Sequence, residues 1–465
     1  MAPLEGGAPT PRRAVPTEAA RVPLTTEAGE FDVRAFEGPS GFVHLALVRG
    51  DLGDGRSVLV RLHSECLTGD ALASRRCDCG VQLSLSLRRI AAEGRGVLVY
   101  ATGHEGRGIG LIRKLRAYML QDLGADTVSA NARLGAPVDA RDYTEAVDVL
   151  RALGIHSVRL LTNNPAKESA LHEGGIAVES VLPLPVSPHL RNLRYLRTKE
   201  QRMGHRASRG DAATDAPVEP AGAIDATALL GVVAPRRDRP HVVLKYAQTL
   251  DGRIATFAGD SKWISGHEER RLSHALRAAC DAVLVGIGTV LTDDPRLTVR
   301  MVPGASPIRV VLDSTLRVPP DAKVLDGSAW TVVMTTARSR PARRLELRAR
   351  GIAVPVLGSS RRGVDVSAAM RWLKANGVES LLVEGGAGII TSMLAAGVVD
   401  RLIVSVAPTL IGSGTEAVGD LGVESVAGGL RLTDHRIHRI GRDLLLSGAL
   451  ERPQTGRAGE RMAAD

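Results

Sequence analysis

Apolar and polar positions change period several times along the chain, and each change predicts an element. From about 42 to 62, two runs of β-formers, FVHLALVRG and RSVLVRLH, flank DLGDG, which predicts a hairpin that delivers the following loop at a strand end. Val81–Ala92 has helical spacing and stops at Glu93-Gly94; GVLVYA (96–101) predicts a strand; HEGRGIG (104–110) is a glycine loop whose N–H groups an anion can approach. Helices over Arg113–Leu123 and 144–153, strands at 157–162 and 176–181, and a loop at NNPAK complete an α/β domain at 21–204. On the predicted helix Tyr118 and Asp122 lie one turn apart.

A weakly periodic stretch dense in Ala, Pro, Asp and Arg (205–238) predicts a linker. Beyond it, strands at 241–247, 281–286, 308–312, 330–335, 379–383 and 400–407 alternate with helices at 267–279, 366–375 and 388–396. This is a second α/β domain (239–451) with a mostly parallel sheet. Residues 1–20 and 452–465 carry the composition of disordered ends.

Length agrees, since 465 residues exceed one ordinary core of about 150. The net charge of +9 rests on sixty basic residues of which seven are Lys, spread rather than clustered, and aromatics make up 3%. That argues against a nucleic-acid polymer and for phosphorylated small molecules. No apolar run reaches the 18 or so residues of a membrane span and no secretory leader is visible, so the expectation is a soluble cytoplasmic protein.

Three of the four cysteines, Cys66, Cys77 and Cys79, fall inside RLHSECLTGDALASRRCDCGVQ. In a reduced chain they predict a zinc site: three thiolates at about 2.3 Å leave a fourth position for water, whose pKa falls from about 15.7 towards 7. The alternative is a closed structural site whose fourth ligand is His63 or Asp78. Cys280 reads as a small buried hydrophobe.

The order HSECLTGD, SxRCDCGxQL, EGRGIGL, RAYMLQDLGADT, DARDY and LLTNNPAK resembles GTP cyclohydrolase II over about 20–204. The resemblance implies zinc-dependent opening of the guanine ring of GTP at C8, with loss of formate and pyrophosphate, and Mg²⁺ on the phosphates. It implies Arg61, Glu105, Gly106, Arg107 and Lys167 at the triphosphate. Ser64, Glu65 and Gln82 would recognise guanine within a GTP block that includes Leu62 and His63, and Thr127 and Thr162 would be further contacts. Tyr118 would stand near C8, Asp139 would be general base, and Arg141 would act at the α-phosphate, where charge stabilisation suits a guanidinium better than nucleophilic attack. Departures from the family pattern stand at His104, Arg113 and Ser129.

LKYAQTLDGRIA, SKWIS, HALRAACDAVLVGIGTVLTDDPRLTVR, RVVLDS and LLVEGGAG resemble the reductase domain of the riboflavin deaminase-reductase, which has a dihydrofolate-reductase-like α/β fold. The resemblance implies NADPH against Ala247, Trp263, Thr289, Asp293, Ser314 and the turn of Gly386, Ala387 and Gly388. It implies a phosphoribosylaminopyrimidine against Ser261, Arg277, Leu297, Arg300 and Glu384, with Asp251 a polar catalytic contact. The zinc deaminase signature, H-x-E with P-C-x-x-C, is absent from the sequence.

Together these predict a bifunctional riboflavin-pathway enzyme, homodimeric as both families usually are. The competing readings are the same chemistry serving a specialised pteridine- or flavin-like pathway with an altered reductase, and a non-catalytic GTP sensor.

Overall fold

The computed structural model describes residues 15–123, 125–190, 192–203, 205, 225–262 and 264–451. They divide into two compact units, one holding the chain to Val186 plus Arg194–Ser208, the other Ser187–Leu193 and everything from Arg209 on. No helix among the described residues is long and apolar enough to cross a membrane.

The first unit runs β1 (Thr17–Thr26), β2 (Gly29–Glu37), β3 (Val43–Arg49), β4 (Val58–Ser64), α1 (Leu67–Asp70), α2 (Cys79–Glu93), β5 (Gly96–Ala101), α3 (Leu111–Asp122), α4 (Thr127–Arg133), α5 (Thr144–Ala152), β6 (Ser157–Leu161), α6 (Pro165–Glu173) and β7 (Ala177–Leu182), then α7 (Leu193–Met203) from its second residue on. Its sheet has the order β1-β2-β3-β5-β4-β6-β7. β3 and β4 therefore do not form the expected hairpin; β5 lies between them, antiparallel to β3 and parallel to β4. The reason is burial: β4 is enclosed from Val58 to His63, and a strand covered on both faces belongs inside a sheet beside parallel neighbours.

Two apolar clusters hold this unit, one around Val60, Val99 and Leu150 and one around Leu59, Ile90 and Leu98, with successive residues of each central strand feeding opposite faces. α2 stops at Gly94, whose left-handed backbone (φ 77°) lets its N–H reach the carbonyls of Ile90 and Ala91. NNPAK is not a loop throughout: Asn164 caps Ala166 and Pro165 opens α6, so Lys167 sits in a helical first turn.

Disorder expected over 1–20 gives way at Thr17–Ala20 to β1, which pairs with β2 although its side chains are exposed; main-chain hydrogen bonds order it, which composition does not reveal. Residues 1–14, 206–224 of the expected linker, and 452–465 lie outside the described residues. The linker's end is a short helix instead, α8 (Ala226–Leu230), capped by Asp225 and seated by buried Leu229 and Leu230.

The second unit continues β8 (His241–Thr249), β9 (Arg253–Thr256), α9 (His267–Ala279), β10 (Ala282–Gly286), α10 (Ile287–Asp293), β11 (Ile308–Leu312), β12 (Thr331–Thr336), α11 (Pro341–Ala349), β13 (Val356–Leu357), β14 (Ser359–Ser360), β15 (Gly363–Val364), α12 (Val366–Ala375), β16 (Ser380–Glu384), α13 (Ala387–Ala396), β17 (Arg401–Ala407), β18 (Gly414–Glu416), β19 (Arg431–Ile440) and β20 (Asp443–Glu451). The nine-stranded order is β13-β12-β11-β10-β16-β8-β17-β20-β19. Every pair is parallel except β17 with β20 and β20 with β19. β16 returns between β10 and β8, which creates a switch point where strand ends open a crevice.

Candidate functional sites

In the first unit the parallel strands β4, β5 and β6 end side by side, and the loops and helices leaving them line a cleft. Strand ends at such an edge are where open α/β sheets bind ligands.

Cys66 follows β4, while Cys77 and Cys79 lead into α2. Their sulfurs all lie within 4.8 Å of one another, with Cys66 and Cys77 3.7 Å apart. Zinc–sulfur bonds of about 2.3 Å place the sulfurs of a tetrahedral site about 3.8 Å apart, so the donor set fits Zn²⁺. Hydrogen bonding from Cys77 and Cys79 holds the Cys66 thiol far below its usual range, with Lys114 adding to it, whereas sharing with Cys66 pushes Cys77 up to about 12. Lys114 Nζ lies 3.1 Å from the Cys66 sulfur and 2.6 Å from Glu105. The fourth-ligand alternatives are turned elsewhere: His63 meets Asp70 at 3.1 Å, and Asp78 meets Lys199 and Gln82, each at 2.7 Å.

Gly69 leaves room for this cluster, since a Cβ there would sit 2.8 Å from the Cys77 sulfur and 3.0 Å from that of Cys66. Gly69→Ala is expected to weaken zinc affinity by about 10–100-fold, the range seen when the surroundings of metal ligands are disturbed; chelator competition measures it.

Cations dominate the walls. Arg61 is buried, binds the Leu161 carbonyl at 2.9 Å and Gln82 at 2.7 Å, and burial lowers its pKa to about 10. Lys167 donates to the Leu62 carbonyl at 2.7 Å, and burial followed by the nearby Arg61 and Arg141 charges drives its pKa well down. Arg107, in left-handed backbone (φ 67°), is 9% exposed, and both of its terminal nitrogens are buried without a hydrogen-bond partner. Arg141 is held by Asp139 at 2.8 Å and reaches Ser64 at 3.4 Å. Burial would raise the Asp139 carboxyl, but Arg141 outweighs it and keeps it below its ordinary range.

The cleft thus gathers Arg61, His63, Ser64, Glu65, Gln82, Gly106, Arg107, Tyr118, Thr127, Arg141, Thr162 and Lys167 around the three cysteines. It does not gather all the residues expected at it. Leu62 has no exposed surface and contributes only its carbonyl; Glu105 faces Lys114 and the Leu67 N–H, 2.6 Å away; Asp139 lies outside against Arg141. Sequence reasoning missed His104, Lys114, Asn131 and Asn163 in the lining, and Tyr195 and Lys199 from α7. His104 and Asn163 lie within the HEGRGIG and LLTNNPAK motifs, but nothing in the sequence marked α7.

In the second unit a cleft opens at the switch point. Ala247, Ser261, Arg277, Thr289, Asp293, Leu297, Ser314, Glu384, Gly386, Ala387 and Gly388 line it; Trp263 lies outside the described residues. Gly386 starts α13, its N–H 3.3 Å from the Thr289 hydroxyl, and a Cβ on Gly388 would meet nothing within 4 Å. An open helix N-terminus beside a glycine turn suits a dinucleotide's phosphates, so these residues fit NADPH.

Two expected contacts stand apart. Asp251 is spent on the loop, accepting from Thr249 at 2.5 Å and Gly412 at 2.7 Å, and Arg300 turns to Thr298 at 2.7 Å. Arg277 is in the cleft but already paired with Glu384 at 2.6 Å. Lys245, in a buried pair with Glu269, is a cation of the lining that was not singled out.

Behind Arg277, His274 accepts the Arg300 N–H at 3.0 Å through Nδ1, which protonation would forbid. Burial, then the Arg277 and Arg300 charges, lowers its pKa to about 4. The neutral form is favoured on folding, so this stability is present above about 6.5, the unfolded value, and is lost as pH falls from there towards 4. His274→Asn, whose oxygen accepts the same bond, is expected to flatten that part of the pH–stability curve; calorimetry across pH 4–7 tests it.

Two strand-end clefts, one floored by thiols and walled by cations, the other turned by glycines, define a fused pair of α/β small-molecule-binding units. Residues 17–183 match the family described as GTP cyclohydrolase II, and residues 240–446 the RibD C-terminal domain. The chain is 55% identical over 182 residues to GTP cyclohydrolase-2 of Neisseria meningitidis, covering 39% of this chain and 92% of that one. It belongs to the GTP cyclohydrolase II family, and its C-terminal half carries the RibD C-terminal domain.

It is also 59% identical over 183 residues to riboflavin biosynthesis protein RibBA of Salinispora tropica, covering 39% of this chain but 46% of that protein, so it spans less than half of that relative's length. Among solved structures it is similar to the riboflavin biosynthesis reductase Rib7 of Saccharomyces cerevisiae, at 26% identity over 47% of this chain and 93% of that one, with a TM-score of 0.38.

Proposed function

We propose that the chain serves riboflavin biosynthesis by two reactions, zinc-dependent ring-opening hydrolysis of GTP and NADPH-dependent reduction of the ribosyl group of a phosphoribosylaminopyrimidine. The observation that carries the first is the convergence of Arg61, Arg107, Arg141 and Lys167 on the three-thiol cluster, with the Arg107 nitrogens buried and unpartnered. Buried guanidinium donors without partners are costly, and a triphosphate would satisfy them.

Zinc at Cys66, Cys77 and Cys79 supplies a Lewis acid that makes water a nucleophile near neutral pH. Around it Ser64, Glu65 and Gln82 orient guanine, with Thr127 and Thr162 beside the nucleoside and Tyr118 towards C8. Water carries C8 away as formate, and water cleaves the α–β anhydride to release pyrophosphate, with Mg²⁺ accompanying the phosphates. Arg141 stabilises charge at the α-phosphate. As its guanidinium turns from Asp139 to phosphate, the carboxylate loses the partner that holds its pKa down and becomes a usable base.

In the second unit Ala247, Thr289, Asp293, Ser314 and the Gly386–Gly388 turn hold NADPH, which supplies the hydride. Ser261, Leu297 and the Arg277–Glu384 pair face the substrate, the pair opening its guanidinium to a phosphate. A cytoplasmic homodimer belongs to the same proposal.

The test is to incubate the full chain with Zn²⁺, GTP, Mg²⁺ and NADPH, following formate by coupled assay and NADPH by absorbance. Formate with NADPH loss, in the absence of any deaminase, is the expected result. Formate with constant NADPH would show that the second unit needs a deaminated or different substrate, which adding a deaminase decides, and no formate would overturn the hydrolytic reading.

A further inference from the structure

α7 lies beyond residue 183, where the GTP cyclohydrolase II match ends, yet it touches the thiol cleft's supports at three places. Lys199 Nζ sits 2.7 Å from an oxygen of Asp78, the residue between two of the three cysteines, and Asp78 is 1% exposed. Tyr195 lies under the Arg107 guanidinium, 5.7 Å from ring centroid to carbon. Arg202 donates at 2.7 Å to Asp126, whose other oxygen caps α4 at Val128 and Ser129, beside Thr127.

The contact at Asp78 extends inward. The second Asp78 oxygen accepts from Gln82 Nε2 at 2.7 Å, and Gln82 Oε1 accepts from Arg61 at 2.7 Å. Because a guanidinium only donates and an ionised carboxylate only accepts, these neighbours fix which way the Gln82 amide points. Remove the cation at the outer end and a carboxylate is left buried beside thiolates.

We propose that α7 is an integral part of this site and that Lys199 is its positioning residue, holding Asp78 so that the loop of Cys77 and Cys79 keeps its ligand geometry and Gln82 and Arg61 their donors. The assignment to nucleotide chemistry rests on the cyclohydrolase reading; the effect on metal retention does not.

In the full chain, Lys199→Met is expected to weaken zinc retention against a competing chelator by about 10–100-fold, as loss of an outer partner of metal ligands does. It is expected to raise the KM for GTP more than it lowers kcat. The double variant Asp78→Asn with Lys199→Met removes both charges and is expected to recover zinc retention to within about threefold of the parent, because the uncompensated carboxylate is gone. Unchanged zinc retention in Lys199→Met would overturn the proposal. So would a double variant as impaired as the single one, which is what a helix that merely packs predicts. If the parent chain binds zinc but releases no formate, the cyclohydrolase reading fails while the zinc comparison still decides the role of Lys199.

Discussion

Cys77→Ser is expected to abolish tight zinc binding and lower formate release from GTP by at least about 1000-fold, since without the metal water keeps a pKa far above neutral. NADPH binding, which we assign to the second unit, is expected to be unchanged. Three sulfurs within 4.8 Å, with an ammonium 3.1 Å from one of them, form a donor set that two thiols and an alcohol do not reproduce. Serine is nearly isosteric but does not ionise near pH 7, and the thiolate is the form that ligates. Metal analysis together with formate assay and NADPH titration separates loss of the site from loss of the fold. Formate release that survives without metal would show that hydrolysis does not pass through this cluster.

The second large effect has two opposite signs. Arg107→Gly is expected to lower GTP affinity by about 100-fold, since charge-assisted hydrogen bonds to phosphate contribute about 1.5–3 kcal/mol each. The same change is expected to leave the unliganded protein as stable as before or more stable by about 1–2 kcal/mol. Left-handed backbone costs a side chain about 1–2 kcal/mol, and two buried donors without partners add to that. Against this stand a cation–π contact with Tyr195, about 0.5–1 kcal/mol, and a similar entropic cost of glycine. Titration calorimetry and thermal unfolding of the ligand-free chain measure both; a stability loss with unchanged GTP affinity would make Arg107 a structural residue.

The parts of the site legible in the sequence are those whose chemistry is local. Cys66, Cys77 and Cys79 lie close enough in the chain for one loop to bring them together, and the Gly386–Gly388 turn was legible through the family resemblance of LLVEGGAG. Leu62 shows the limit of reading a block as a unit: within RLHSE alternate residues face opposite sides of β4, so Arg61 and His63 reach the cleft while Leu62 enters the core. Asp139 and Glu105 turned out to hold Arg141 and Lys114, a distinction of partner that side-chain type does not encode. The placement of β5 between β3 and β4 was illegible because two adjacent apolar runs satisfy a hairpin pattern equally well. The contribution of α7 was illegible because its partners are distant, with Lys199 and Asp78 separated by 121 positions.

That separation has a consequence during synthesis. A ribosome adding about 5–20 residues per second needs roughly 6–24 seconds to pass from Asp78 to Lys199. From Cys79 onward the nascent chain carries all three cysteines, but not the cation that offsets the carboxylate among them. The pocket is therefore unfinished until α7 is made, and a chain stalled before α7 lacks the cation that offsets Asp78.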